Sequence, residues 1–160
     1  MNNPIQDQKW RDLTVEGVLT ISLPENAEIG FDDDQTLIKV RLNDAAESEI
    51  LIGVFPLPDS QTVDPQILLN RLTYFMEECV KVSSHVSYDD VQDLENDEIA
   101  VFQSVAMLPN NRWWIARVYG QLGSPEFMLV HWNGNDDVLR SIVIRILFSI
   151  DPSMAFHENG

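Results

Sequence analysis

Between Ile99 and Trp132 the chain carries three apolar runs, Ile99 to Leu108, Arg112 to Gln121 and Glu126 to Trp132. Only Pro109-Asn110-Asn111 and Leu122 to Pro125 separate them. Links this short and this rich in turn formers favour antiparallel pairing of neighbours, so the segment predicts a three-strand meander. The middle run is apolar at both parities, with Trp113 and Ile115 on one face and Trp114, Ala116 and Val118 on the other. A strand of that kind belongs in a sheet covered on both sides. The rest of the chain must supply two covering layers.

Two helical patterns are available for that task. Asp64 can cap, Pro65 suits a first helical position, and Leu68, Leu72, Phe75, Met76, Cys79 and Val80 recur at spacings of three and four. After Asn133-Gly134-Asn135 a second stripe runs through Val138, Leu139, Ile142, Val143, Ile146 and Leu147, with Asn135 or Asp136 as cap and Arg140 and Arg145 off the stripe. Upstream, Leu13 to Leu23 alternates with period two and reads as one strand ended by Pro24, followed by an acidic loop from Glu25 to Asp34. Thr36 to Leu42 and Ile50 to Phe55 read as two adjacent antiparallel strands. His85 to Tyr88 is a short strand, and the acidic run from Asp89 to Glu98 is a loop.

The resulting order is βββαββββα, an α+β protein with a mostly antiparallel sheet flanked by helices as an α/β/α sandwich. No repeat or Gly/Ser linker divides the chain. Residues 13–151 are therefore expected to form one domain, with 1–12 as a flexible N-terminal segment and 152–160 as a C-terminal tail. Trp113, Trp114, Tyr119, Phe127, Trp132 and Phe148 crowd the final third, which reads as the heart of the core.

Charge narrows the range of partners. The 160 residues hold 26 acids and 10 bases, for a formal net charge of -16; the first 111 residues hold 21 acids and 6 bases, and the last 49 hold 5 and 4. Nucleic acid and anionic membranes are not expected partners, because both require a basic surface. No run approaches the length of a bilayer span, residues 1–12 contain no apolar signal segment, and Cys79 is the lone cysteine. These features predict a reducing, cytoplasmic setting.

Catalytic motifs are not found in the sequence. His85, His131 and His157 are scattered, and neither Asp32-Asp33-Asp34 nor the Asp89 to Glu98 run has the glycine of a calcium loop, so no metal or cofactor is expected. There is no nucleophile elbow around Ser124, and Cys79 lies on an apolar stripe. The reading is that of a protein without enzymatic activity.

Two candidate surfaces remain. By strand parity Trp113, Ile115, Arg117 and Tyr119 share a face, Phe127, Leu129 and His131 share a face, and Lys39 and Arg41 share a polar face. Lys39, Arg41, Trp113, Arg117, Tyr119 and His131 are therefore the candidate protein-binding surface, although each residue also fits a role in the core or in balancing charge. Asp89, Asp90, Asp93, Glu95, Asp97 and Glu98 form a candidate acidic surface.

The layout resembles the PsbP-like superfamily, which includes the photosystem II extrinsic protein, the Ran-binding import factor and bacterial secretion-chaperone relatives. The likeness rests on the opening Val18-Leu19-Thr20-Ile21-Ser22-Leu23-Pro24, the central helix, the meander through Trp132 and the closing Ile146-Leu147-Phe148-Ser149-Ile150. The resemblance implies an α/β/α sandwich, an absence of catalysis, and protein partners. The expected function is a bacterial protein-binding module, a chaperone or adaptor, and a homodimer in the secretion-chaperone version. Two alternatives stand beside it: an inhibitor or immunity-type protein that sets an acidic face against a basic partner, and a small-ligand binder or enzyme with a pocket between sheet and helix.

Overall fold

The computed structural model describes residues 9–31, 37–42, 48–79, 81, 86–94, 97–108, 112–134 and 137–156. Its strands are β1 (Trp10–Val15), β2 (Leu19–Pro24), β3 (Glu28–Phe31), β4 (Leu37–Arg41), β5 (Glu49–Pro56), β6 (Val86–Leu94), β7 (Asp97–Leu108), β8 (Arg112–Gln121) and β9 (Glu126–Gly134). The helices are α1 (Pro65–Tyr74), which continues into a π turn at Phe75–Cys79, α2 (Asp137–Ser149) and the short α3 (Ser153–Phe156).

Seven strands form one fully antiparallel sheet in the order β3-β4-β5-β9-β8-β7-β6, and β1 and β2 form a separate hairpin. The expected α+β architecture and the meander β7-β8-β9 are present. α1 packs on β7 and β8, burying Leu68, Leu72 and Met76 against Ala100, Phe102, Ala116 and Val118. α2 and the β1-β2 hairpin cover the opposite face, where Ile142, Val143, Ile146 and Leu147 meet Leu19, Ile21, Val130 and Trp132. Asp64 caps α1 as expected, its Oδ1 accepting from the Ile67 backbone N–H at 2.8 Å, an interaction worth about 1 kcal/mol. Gly120 lets the approach to α1 cross β8 closely: a Cβ there would lie 2.8 Å from a Val63 methyl.

Several local expectations are corrected. Leu13 to Leu23 is not one strand but the hairpin β1-β2, turned at residues 16–18, with Gly17 at φ +79° and Val18 N–H donating to Val15 O. The acidic stretch after Pro24 contains the edge strand β3, which pairs with β4. The run from Asp89 to Glu98 is not a loop. Its ladder pairs Asp89 with Phe102 and Asp93 with Glu98, which makes most of it one end of the β6-β7 hairpin. The element order is accordingly richer in strands than βββαββββα. β1 begins at Trp10, and Phe156 of α3 is buried against the core. Helix caps at Asn135 or Asp136 lie outside the described residues.

Candidate functional site

Strand register decides which candidate residues meet. Gln103 pairs with Arg117, Arg117 with Val130, and Val130 belongs to the core beneath α2, so Trp113, Arg117 and Tyr119 lie on the α2 side of the sheet. Lys39 pairs with Leu51, and Leu51 with His131, which puts Lys39, Arg41 and His131 on the α1 side. The six residues therefore fall into two sets on opposite faces.

On the α1 side, acidic residues stand in register with a basic one. Arg41 stands across from Glu28 on one neighbouring strand and Glu49 on the other, and these residues with Lys39 line a depression of about 220 Å³. His131 packs between aromatic rings, 4.9 Å from that of Phe75 and 6.0 Å from that of Trp114, the latter stacked at 12°. Burial pushes its pKa down to about 4, so the imidazole is neutral at pH 7, and among the described residues its Nδ1 has no hydrogen-bond partner. This residue fills space rather than carrying charge.

The α2 side holds a cleft of about 480 Å³ between β7-β8 and the helix, lined by Gln103, Trp113, Arg117, Arg140, Ile144 and Phe148 among others. Arg117 is only 2% exposed, and among the described residues its Nε and Nη1 find no hydrogen-bond partner. Its guanidinium carbon sits 4.6 Å from the centroid of Phe148 and 5.5 Å from that of Tyr119, which are cation–π contacts. The Tyr119 hydroxyl donates to Leu147 O at 2.9 Å, tying the end of α2 to β8. Burial raises the Tyr119 pKa to about 12, partly opposed by the charge and side-chain hydrogen bond of Arg117. On the cleft wall Arg140 lies 4.1 Å from the centroid of the Trp113 ring.

Phe148 corrects another expectation: it is 56% exposed and lies at the cleft, not in the core, whereas Trp132, Tyr119 and Phe127 are buried. Gln103, Arg140, Ile144 and Phe148 were missed as site residues, yet they left signals. Gln103 interrupts an apolar face that runs Ile99, Val101, Val105, and Arg140, Ile144 and Phe148 recur every fourth residue beside the buried stripe of α2.

The acidic candidates lie elsewhere. Asp89, Asp90 and Asp93 belong to β6 and Asp97 and Glu98 to β7, all described by backbone alone, and Glu95 is outside the described residues. Among the described residues no group of three His, Cys, Asp or Glu could hold a metal ion, and no helix is long and apolar enough to cross a membrane.

An antiparallel sheet between two covering layers, assembled in this order, defines a PsbP-like fold. The solution structure of cyanobacterial PsbP (CyanoP) from Synechocystis sp. PCC 6803 matches with a TM-score of 0.59 and 7% sequence identity, covering 91% of this chain and 93% of that chain. At that identity the likeness carries the fold and no individual residue. No family model matches the sequence, and no curated protein matches it significantly.

Proposed function

We propose that this chain is a non-enzymatic protein-binding module that takes a segment of its partner into the α2 cleft. The observation that carries the reading is the composition of that cleft: Trp113 and Phe148 beside Arg117 and Arg140, in a chain with a net charge of -16. Aromatic and arginine side chains dominate the energetics of protein interfaces, and a cleft gives them the enclosure that makes a hot spot effective. The finer reading, a bacterial cytoplasmic chaperone or adaptor, draws on the PsbP-like resemblance and the lone cysteine.

Affinity purification from the native host tests this. Wild-type chain is expected to recover one stoichiometric partner, and a folded Trp113→Ala/Phe148→Ala variant is expected to lose it. Retention of the partner by that variant would move the interface away from the cleft, and recovery of no partner across several growth conditions would remove the reading. Light scattering addresses the secretion-chaperone version, which requires a dimer; a monomer contradicts it.

A second reading has two observations in its favour. The buried Arg117 and the cleft volume also suit a binder of small organic acids.

A further inference from the structure

Arg117 is unusual in what it lacks. A buried lysine or histidine escapes an uncompensated charge by losing its proton, as His131 does on the other face, but a guanidinium stays charged at any physiological pH. Among the described residues the partners of Arg117 are two aromatic rings and the Tyr119 hydroxyl, and its Nε and Nη1 are buried with nothing to donate to. Beside it on β7, its register partner Gln103 buries a carbonyl oxygen, Oε1, that accepts from none of the described residues. Among the described residues a donor set and an acceptor thus stand unpaired on adjoining strands, just beneath the wall of one cleft. Buried polar groups left in that state are costly, and they are met from outside when the site is filled.

We infer that the α2 cleft is a receptor for the C-terminal end of a protein chain, with the terminal carboxylate on Arg117, a main-chain N–H near that end on Gln103 Oε1, and an apolar last side chain against Trp113, Ile144 and Phe148. This deepens the protein-binding reading and rests on it. A chain end presents an anion and an N–H donor a few bonds apart, which matches an unpaired donor set next to an unpaired acceptor. Inorganic phosphate or a simple organic acid supplies the anion and leaves Gln103 unmet. Arg140, stacked on Trp113 at the same cleft, adds a second positive charge.

The test is an NMR titration of the full chain with N-acetylglycyl-leucine, its C-terminal amide, and 4-methylpentanoic acid, following the Arg117 and Trp113 resonances. The peptide acid is expected to bind at the cleft about tenfold or more tightly than the amide, because the amide offers the guanidinium no charge. It is also expected to outbind the simple acid, and Gln103→Leu to erase that second preference. Arg117→Met is expected to lose the acid-over-amide preference while keeping a denaturation midpoint at or above that of the wild type. Equal binding of acid and amide, or no shift with either, overturns the inference. A simple acid as tight as the peptide acid overturns the chain-end assignment. A marked fall in the midpoint of Arg117→Met does so too, because it means that the counter-charge comes from the chain itself. Should Trp113→Ala/Phe148→Ala lose a co-purified partner while the titration stays blank, the protein-binding reading survives and this inference alone falls.

Discussion

Among the described residues each face of the sheet withdraws a basic side chain from solvent, half-buried His131 on one side and buried Arg117 on the other, and the two are handled in opposite ways. On the α1 side His131 gives up its charge: burial holds its pKa near 4, and the ring packs between Phe75 and Trp114. On the α2 side Arg117 keeps its charge at 2% exposure with two nitrogens unpartnered among the described residues. An imidazole can be absorbed into a core, whereas a guanidinium can only be tolerated there. The proposed binding role of the α2 cleft rests on that difference.

The comparison can be broken most forcefully by truncating each face. Leu72, fully buried under α1, should cost about 2–5 kcal/mol when changed to Ala, measured by urea denaturation. Ile144→Ala, on the half-buried wall of the cleft, should cost only about 1 kcal/mol. Equal losses would mean that the cleft is as tightly packed as the core.

A smaller and more specific effect comes from pH. The folded pKa of His131 lies below the ordinary 6.5, so between about pH 6.5 and 4 the unfolded chain binds a proton that the folded chain refuses. Its contribution to stability therefore falls as pH falls through that window. Compared with His131→Phe, the wild type should lose about 1–3 kcal/mol between pH 7.5 and 4.5. A pH-independent difference between the two would place the histidine in solvent and undo the contrast with Arg117.

The smallest expected change is at Phe148. Because this ring is more than half exposed, Phe148→Ala should alter stability by less than about 1 kcal/mol, the scale of its cation–π contact with Arg117. A larger loss would restore Phe148 to the core.

Much of this was legible in the sequence, and the misses have physical causes. The meander and both long helices follow from periodicity and short turns. The hairpin β1-β2 did not, because its three-residue turn preserves parity: Leu13 opposes Ile21 and Val15 opposes Leu19, so every odd residue faces the same way as in one long strand. Only Gly17 marked the break. The part of β6 from Asp89 on read as a loop because aspartate disfavours strands, yet an edge strand gains pairing from one neighbour, and charge there discourages unwanted sheet extension. As for the site, parity grouped Trp113 with Arg117 and Phe127 with His131. Which group faced which helix depended on the β8-β9 register, and that arises only between strands. Gln103 entered the site through the β7-β8 register, and Arg140 through the packing of α2 over Trp113.

On the proposed reading, Arg117 remains a buried cation for the sake of a ligand and not for the fold. The most direct measurement is the chemical denaturation of Arg117→Met beside the wild type, without ligand. The account predicts a variant as stable as the wild type or more stable, by up to about 1–4 kcal/mol, because an apolar side chain of similar length removes an uncompensated charge. A loss of about 3–5 kcal/mol, the mark of a broken internal ion pair, would contradict it.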